Sequence, residues 1–481
     1  MRTAGTRFGL MSGECSLCRG LALLLSCLSL VLALRPGDAR GQGAPKRPHV
    51  LLISIDGLGW SLFQRRDVRL PTLRRLASRG VVGPALSVFP ANTWPAHATM
   101  ISGCYPARHG VIGNRFRDPT TGRETLSFSV PRRRLLRVPT LFDVLHRAKI
   151  STAAVFWPGS QGDASVDWNV PYVYGQLAFE HGSSPGLLAE LARSGFPSES
   201  LWKFMSLNDP YTADHAALEI ARFLVARHKP RMMALHFDAV DLLAHQFGPT
   251  SATVRWGLEA VDRMIAATLA SYRRAKILDQ TVVIVVSDHG FVRATRAFDI
   301  QRLVTAAGAS ISTKKNGRPN VRVILDGMVA YLYLAPAAQR PRPLAKLVAA
   351  LRRQPEIERI LEPGDYRRYG LPLPRDNARA PSLIAVARPG VIFGPVHDRR
   401  GLSAPVSRRG THGYWPSDPR MRSVFLISGP GVRRAKLHAP FRMIDLAPTI
   451  LRVFRRAFSG AIDGRPMRGI PPRRTSTISR R

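Results

Sequence analysis

TVVIVVSDHG (residues 281–290) decides how this chain is read. Five consecutive Val and Ile residues follow one Thr and stop abruptly at Ser-Asp-His-Gly. A run this short, apolar and β-branched fits a strand buried on both faces, as strands of parallel sheets are. HVLLISID (residues 49–56) and MMALHFDAVD (residues 232–241) follow the same plan and also end in acids, while RSVFLISGPG (residues 422–431) closes in Gly and Pro. Between these runs, helical periodicity spans 72–78, 140–148, 214–226, 252–275 and 445–454. Strands alternating with helices predict an α/β class with a mostly parallel central sheet flanked by helices. Ligands of such sheets bind beyond the carboxyl ends of the strands, so the polar residues there are the first candidates for chemistry.

The segment 291–409 departs from this plan. VRVILDGMVAYLYL (residues 321–334) alternates like a β-hairpin around an Asp-Gly turn, and a short helix is predicted over 343–353. A small cap inserted into one domain, 46–460, is expected. The Pro- and Arg-rich tail, 461–481, is expected to fray.

Composition narrows the class. With 45% hydrophobic and 21% charged residues the 481-residue chain is globular, and four cysteines exclude a disulfide scaffold. No apolar run reaches the length of a membrane span. The net charge of +39 invites a nucleic-acid reading, but only about nine of the 71 basic residues are Lys. Such an Arg bias can follow codon composition, and no nucleic-acid-binding motif accompanies it.

At the N-terminus Arg2, Arg7 and Arg19 precede LALLLSCLSLVLAL (residues 21–34), with small residues Gly37 and Ala39 beyond it. This pattern predicts a signal peptide over 1–39 and a periplasmic or secreted protein, the alternative being an uncleaved N-terminal anchor. Cys15, Cys18 and Cys27 would leave with the leader, and Cys104 would remain alone.

Strand ends supply Asp56, Asp241, Asp288 and His289; His245 lies four residues after Asp241, and His412 sits in Gly-Thr-His-Gly. Carboxylate and imidazole together suit Zn²⁺ or a similar ion. Singly, each has a structural reading, Asp56 as a helix cap and His412 as a loop histidine. Thr93, in FPANTWPAH (residues 89–97), is placed near a helix N-terminus, where backbone N–H groups favour an anion. It reads either as an N-cap or as a hydroxyl that an adjacent metal activates.

The ordered set IDG, NTWPAH, GxYPxxHGxxGN, FWPGS, DxxxH, SDHG and GTHG resembles the nucleotide pyrophosphatase/phosphodiesterase family of the alkaline phosphatase superfamily. The resemblance runs from about His49 to Phe458. It implies an alkaline-phosphatase-like layered fold and two divalent metal ions, most simply Zn²⁺. Asp56, Thr93, Asp288 and His289 match the ligands of the metal that activates the nucleophile; Asp241, His245 and His412 match those of the second. Thr93 matches the nucleophile that forms a phospho-Thr ester. Asn114 matches the residue holding a phosphoryl oxygen, and Trp94 stands where an aromatic contacts substrate. The chain departs from the family at Trp94 for Phe, Ala96 for Asn and Cys104 for Leu. The implied activity is hydrolysis of phosphodiester or pyrophosphate bonds in a nucleotide or phospholipid-like substrate. Alternatives are a phosphomonoesterase or a phosphonate or phospholipid hydrolase on the same core, and, outside enzymes, a basic nucleic-acid-binding protein. A sulfatase would need Cys where Thr93 stands.

Overall fold

The computed structural model describes residues 47–198, 200–206, 209–310, 320–397 and 401–468. The expected leader, 1–39, lies outside the described residues, as does the tail from 469 onward. One compact unit begins at Pro48 and carries everything described below.

Its central sheet contains β1 (His49–Ile55), β2 (Val81–Leu86), β3 (Thr152–Val155), β4 (Trp168–Val170), β5 (Met232–Phe237), β6 (Thr281–Val286) and β7 (Ser423–Ser428). Their order across the sheet is β2-β7-β6-β1-β5-β3-β4. Pairing from β6 through β4 is parallel, so the apolar runs are buried on both faces as their composition requires. β7 is the exception, antiparallel to both β6 and β2. The cause lies just upstream. Gly410–Thr411 pairs with Val292–Arg293, beyond the carboxyl end of β6. The chain therefore enters β7 at the end where β6 finishes and must run the other way.

The periodic segments fold as helices Pro71–Arg79, Leu141–Arg147, Pro210–Arg227, Ala252–Arg274 and Leu446–Val453. Ala252–Arg274 shows why: Val254, Leu258, Val261, Ile265 and Leu269 recur at three- and four-residue spacing and are buried, and Ser251 caps the start by accepting from Val254 N–H.

Within the expected insertion, Val321–Asp326, Val329–Leu334, Leu383–Ala387 and Ile357–Leu361 form an antiparallel four-stranded sheet in that order. The helix predicted over 343–353 spans Pro341–Arg352. These elements bury their own apolar cluster, including Tyr331, Leu351 and Tyr366. At the hairpin turn Asp326 pairs with Val329, and Gly327 takes the positive φ of +70° that the tight reversal needs.

The tail does not fray where it is described. Asp463 and Gly464 N–H groups donate to Gly103 O, and Met467 N–H donates to Thr449 Oγ1. These backbone bonds anchor 461–468, which composition alone does not reveal.

Candidate active site

α1 (Thr93–Ser102) starts beside the carboxyl ends of β1 and β6 and is buried along its whole length. Its N-cap is Asn92, not Thr93, and the Asn92 side chain makes no capping bond. Thr93 is the first helical residue, with Oγ1 3.5 Å from His289 Nε2. One turn later, His97 places Nδ1 2.8 Å from Thr93 O and Nε2 2.9 Å from Ser54 Oγ, tying α1 to β1. Trp94 N–H donates to Asn114 Oδ1 at 3.0 Å. An amide that accepts through its oxygen has its Nδ2 left to donate.

Asp56, Asp288 and His289 come together because β1 and β6 are adjacent and end at the same edge. His289 Nε2 is 3.5 Å from Asp56 Oδ1 and 3.2 Å from Asp288 Oδ2. Asp288 Oδ1 accepts from Gly57 N–H at 3.0 Å. Gly57 has φ +68°, and a Cβ there would meet Phe291 at 2.5 Å and the Asp241 Cα at 3.1 Å. Only glycine lets the chain turn this closely under the site.

The segment after β5 does turn helical, as α2 (Ala239–Phe247), which puts Asp241 and His245 on one face. His245 Nε2 is 3.3 Å from Asp241 Oδ2, and His412 Nε2 is 3.6 Å from Asp241 Oδ1. Asp241, His289 and His412 also cluster, so His289 belongs to both groups. The seven positions Asp56, Thr93, Asp241, His245, Asp288, His289 and His412 therefore lie in one buried or nearly buried array, with Asn114 bonded to its edge.

The donor chemistry of this array fits cations. Asp56 Oδ1, Asp241 Oδ1 and Asp288 Oδ2 are buried with no hydrogen-bond partner. Burial, and then repulsion from neighbouring carboxylates, pushes Asp56 and Asp241 well above the usual carboxylate range. Burial also raises Asp288, but His289 and His97 outweigh it and leave the group below its ordinary value. Burial holds His245 and His412 neutral. His245 Nδ1 lies 2.9 Å from Gly410 O and 3.0 Å from Arg408 Nε. Gly410 O can only accept and Arg408 Nε–H can only donate, so these two contacts call for opposite tautomers of His245. His412 Nδ1 lies 2.8 Å from Asn92 Oδ1, which also only accepts. The His412 Nε2 lone pair then faces His245 Nε2 at 3.1 Å. Buried carboxylate oxygens without a partner are costly unless a cation shares them.

Trp94 is buried, its ring 5.9 Å from Phe128 and 5.6 Å from Tyr172. Phe128 and Tyr174 are the half-exposed members of this aromatic wall, their rings 4.6 Å apart. Sequence reading passed over three further acids and bases. His236 Nε2 bonds Asp56 Oδ2 at 3.0 Å, Tyr172 donates to Asp238 Oδ2 at 2.6 Å, and Asp326 Oδ2 accepts from Asn114 N–H at 2.9 Å. His236 carried a signal, a lone imidazole inside an apolar strand. Asp326 carried none beyond its turn.

A family profile described as type I phosphodiesterase / nucleotide pyrophosphatase matches residues 50–415. An uncharacterized pyrophosphatase/phosphodiesterase of Schizosaccharomyces pombe is 26% identical over 249 residues, 50% of this chain and 44% of that protein. The chain thus spans less than half the length of that relative. Ectonucleotide pyrophosphatase/phosphodiesterase family member 7 of Homo sapiens is 23% identical over 448 residues, 90% of this chain and 86% of the relative. The structure of murine ectonucleotide pyrophosphatase/phosphodiesterase 5, inactive and in complex with AMP, matches with a TM-score of 0.62 at 18% identity. That match covers 85% of this chain and 96% of the other, and it shows a shared fold.

Proposed function

The chain belongs to the type I phosphodiesterase/nucleotide pyrophosphatase family, and on that premise we propose that it hydrolyses phosphodiester or pyrophosphate bonds through Thr93. One observation carries the reading: three unpartnered buried carboxylate oxygens and the Nε2 atoms of His245, His289 and His412 gather beside the Thr93 hydroxyl. Asp56, Thr93, Asp288 and His289 would hold one divalent cation and Asp241, His245 and His412 the other, with Zn²⁺ suited to the mixed donor set. When bound, the pair supplies charge for the phosphoryl oxygens and lowers the pKa of the Thr93 hydroxyl and of water.

The chain's own groups do the rest. Thr93 Oγ1 attacks phosphorus, and the bond to the leaving oxygen breaks as the Oγ1–P bond forms. The Thr93 proton passes to solvent in this step, and the leaving oxygen takes one up. Water then attacks phosphorus, the Oγ1–P bond breaks as the new P–O bond forms, and one of that water's protons returns to Thr93 Oγ1. Asn114 Nδ2 donates to a non-bridging oxygen, held in place by Trp94 N–H on its own Oδ1. Phe128 and Tyr174, both only partly buried, offer a stacking surface for a base or another flat leaving group. The AMP held by the murine relative makes a nucleotide the first substrate to test. Export through the 1–39 segment is part of the same proposal, since the substrate class is then extracellular or periplasmic.

A panel of p-nitrophenyl esters tests it: a phosphate monoester, a methylphosphate-type diester, thymidine 5′-monophosphate, phosphocholine and sulfate, each with and without Zn²⁺. The diesters should turn over with the higher kcat/KM. A matched monoester preferred over the diester would replace this reading with a phosphomonoesterase.

A further inference from the structure

Asp326 lies outside every motif that suggested the site, in the turn of the inserted hairpin, yet it is buried against the nucleophile helix. Two donors converge on its Oδ2, Asn92 Nδ2 at 2.8 Å and Asn114 N–H at 2.9 Å; the single Tyr331 hydroxyl proton is shared between Oδ2, at 3.2 Å, and Ile112 O, at 3.0 Å. Gly113 makes room for this approach, since a Cβ there would stand 2.5 Å from both Asp326 Oδ2 and the Tyr331 oxygen. Burial pushes the carboxyl up to about 6, and the Asn114 N–H, which can only donate, makes Oδ2 an acceptor.

The polarity of the chain of bonds follows from which groups can only accept. Oδ2 already accepts from a backbone N–H, so Asn92 must turn its Nδ2 toward Asp326. Its Oδ1 then faces His412 Nδ1 at 2.8 Å and also only accepts, so the His412 proton must sit on Nδ1. The lone pair is thereby left on Nε2, the atom that faces Asp241 and His245. A histidine ligand commonly has its tautomer fixed in this way by an acceptor on its far side. The same carboxylate oxygen holds the backbone of Asn114.

We propose that Asp326 is a positioning residue which, through Asn92, fixes the ligating tautomer of His412 and, through the Asn114 backbone, sets the phosphoryl-binding amide. The inserted sheet thus sets the geometry of both halves of the site. This rests on the reading of His412 as a metal ligand.

The test is zinc affinity of the full chain, measured by competition with a chromophoric chelator, for Asp326→Ala, Asp326→Asn, Asn92→Leu and the double variant Asp326→Ala/Asn92→Leu. Asp326→Ala should weaken one of two zinc equivalents about 10- to 100-fold, the usual range for losing an outer partner of a ligand. Asp326→Asn keeps an oxygen for the Asn92 and Asn114 donors and should stay within about threefold of wild type. Asn92→Leu should lose as much as Asp326→Ala, and the double variant no more than either, because the two act in series. On a p-nitrophenyl diester, Asp326→Ala should lower kcat as well as raise KM, whereas Asn92→Leu should spare KM. A merely structural role predicts lower melting temperatures with unchanged zinc affinity, and that result would overturn the proposal. So would losses that add in the double variant. If Asp326→Ala does not fold, Asn92→Leu against Asp326→Asn still decides: equal zinc affinity in the two rejects the relay. The competition needs no turnover, so a wild type inert toward every phosphodiester would count against the reaction while leaving the competition to judge Asp326.

Discussion

The rings of His289 and His412 stack with centroids 3.8 Å apart and planes 18° from parallel. One leaves the end of β6, and the other lies beyond the whole inserted segment. Their contact joins the Asp56–Asp288 cluster to the Asp241–His245 cluster, and each ring limits how far the other can turn. The two groups of donors are one array for this reason.

Metal removal should therefore destabilise the fold as well as stop turnover. Stripped of cations, the array holds buried carboxylate oxygens with no hydrogen-bond partner. Adding Zn²⁺ at a hundredfold excess over its dissociation constant should stabilise the chain by about 2.7 kcal/mol for each site filled. Calorimetry of chelated and zinc-loaded samples, with metal content checked by elemental analysis, would measure this. Equal melting temperatures, or full activity in the stripped sample, would contradict the assignment.

Thr93→Ala separates chemistry from structure. Asn92, not Thr93, occupies the cap position, so the substitution should cost little stability. It should leave both metals bound and remove turnover by about three orders of magnitude or more, as nucleophile knockouts do. Asp241→Asn or His412→Ala should instead lower zinc stoichiometry. Near-wild-type kcat in folded, metal-loaded Thr93→Ala would defeat the mechanism.

Gly57→Ala probes the turn beneath the site. The left-handed backbone alone costs about 1–2 kcal/mol for an L-residue. The added Cβ would also press on the Asp241 backbone, at 3.1 Å. Reduced melting temperature together with weaker zinc binding is expected. Loss of stability with unchanged zinc affinity would mean that Asp241 is not displaced.

His109 gives a pH signature away from the metal ligands. Val111 N–H donates to its Nδ1 at 3.1 Å, and its Nε2 lies 3.0 Å from Thr99 Oγ1. Burial drives its pKa down to about 3, from 6.5 in the unfolded chain. Between these values the unfolded chain binds the extra proton, so stability falls as pH drops from 6.5 toward 3. The slope from this one group is at most about 1.4 kcal/mol per pH unit. His109→Asn keeps an acceptor for Val111 but cannot titrate. Chemical denaturation at pH 6.5 and 5.0 should show a shallower pH dependence for the variant. Identical dependence in both proteins would refute the assignment.

Much of this was legible in the sequence, and the reason is local. Continuous Val/Ile runs specify strands buried on both faces, so the parallel layers and the strand-end positions of Asp56, Asp288 and His289 follow from composition and period alone. The four-residue spacing of Asp241 and His245 placed them on one face once that segment was helical. What the sequence left open depended on partners distant along the chain. β7 is antiparallel because Gly410–Thr411 pairs back to Val292–Arg293. Thr93 could be read as the cap until the Asn92 side chain was seen committed to His412 and Asp326. His236 gave a weak sign as an imidazole in an apolar strand, and Asp326 looked like an ordinary turn residue. Period and propensity report how a side chain meets its own strand or helix. Which buried acceptor meets which donor is decided only when separate elements pack, because a hydrogen bond depends on position to a few tenths of an ångström.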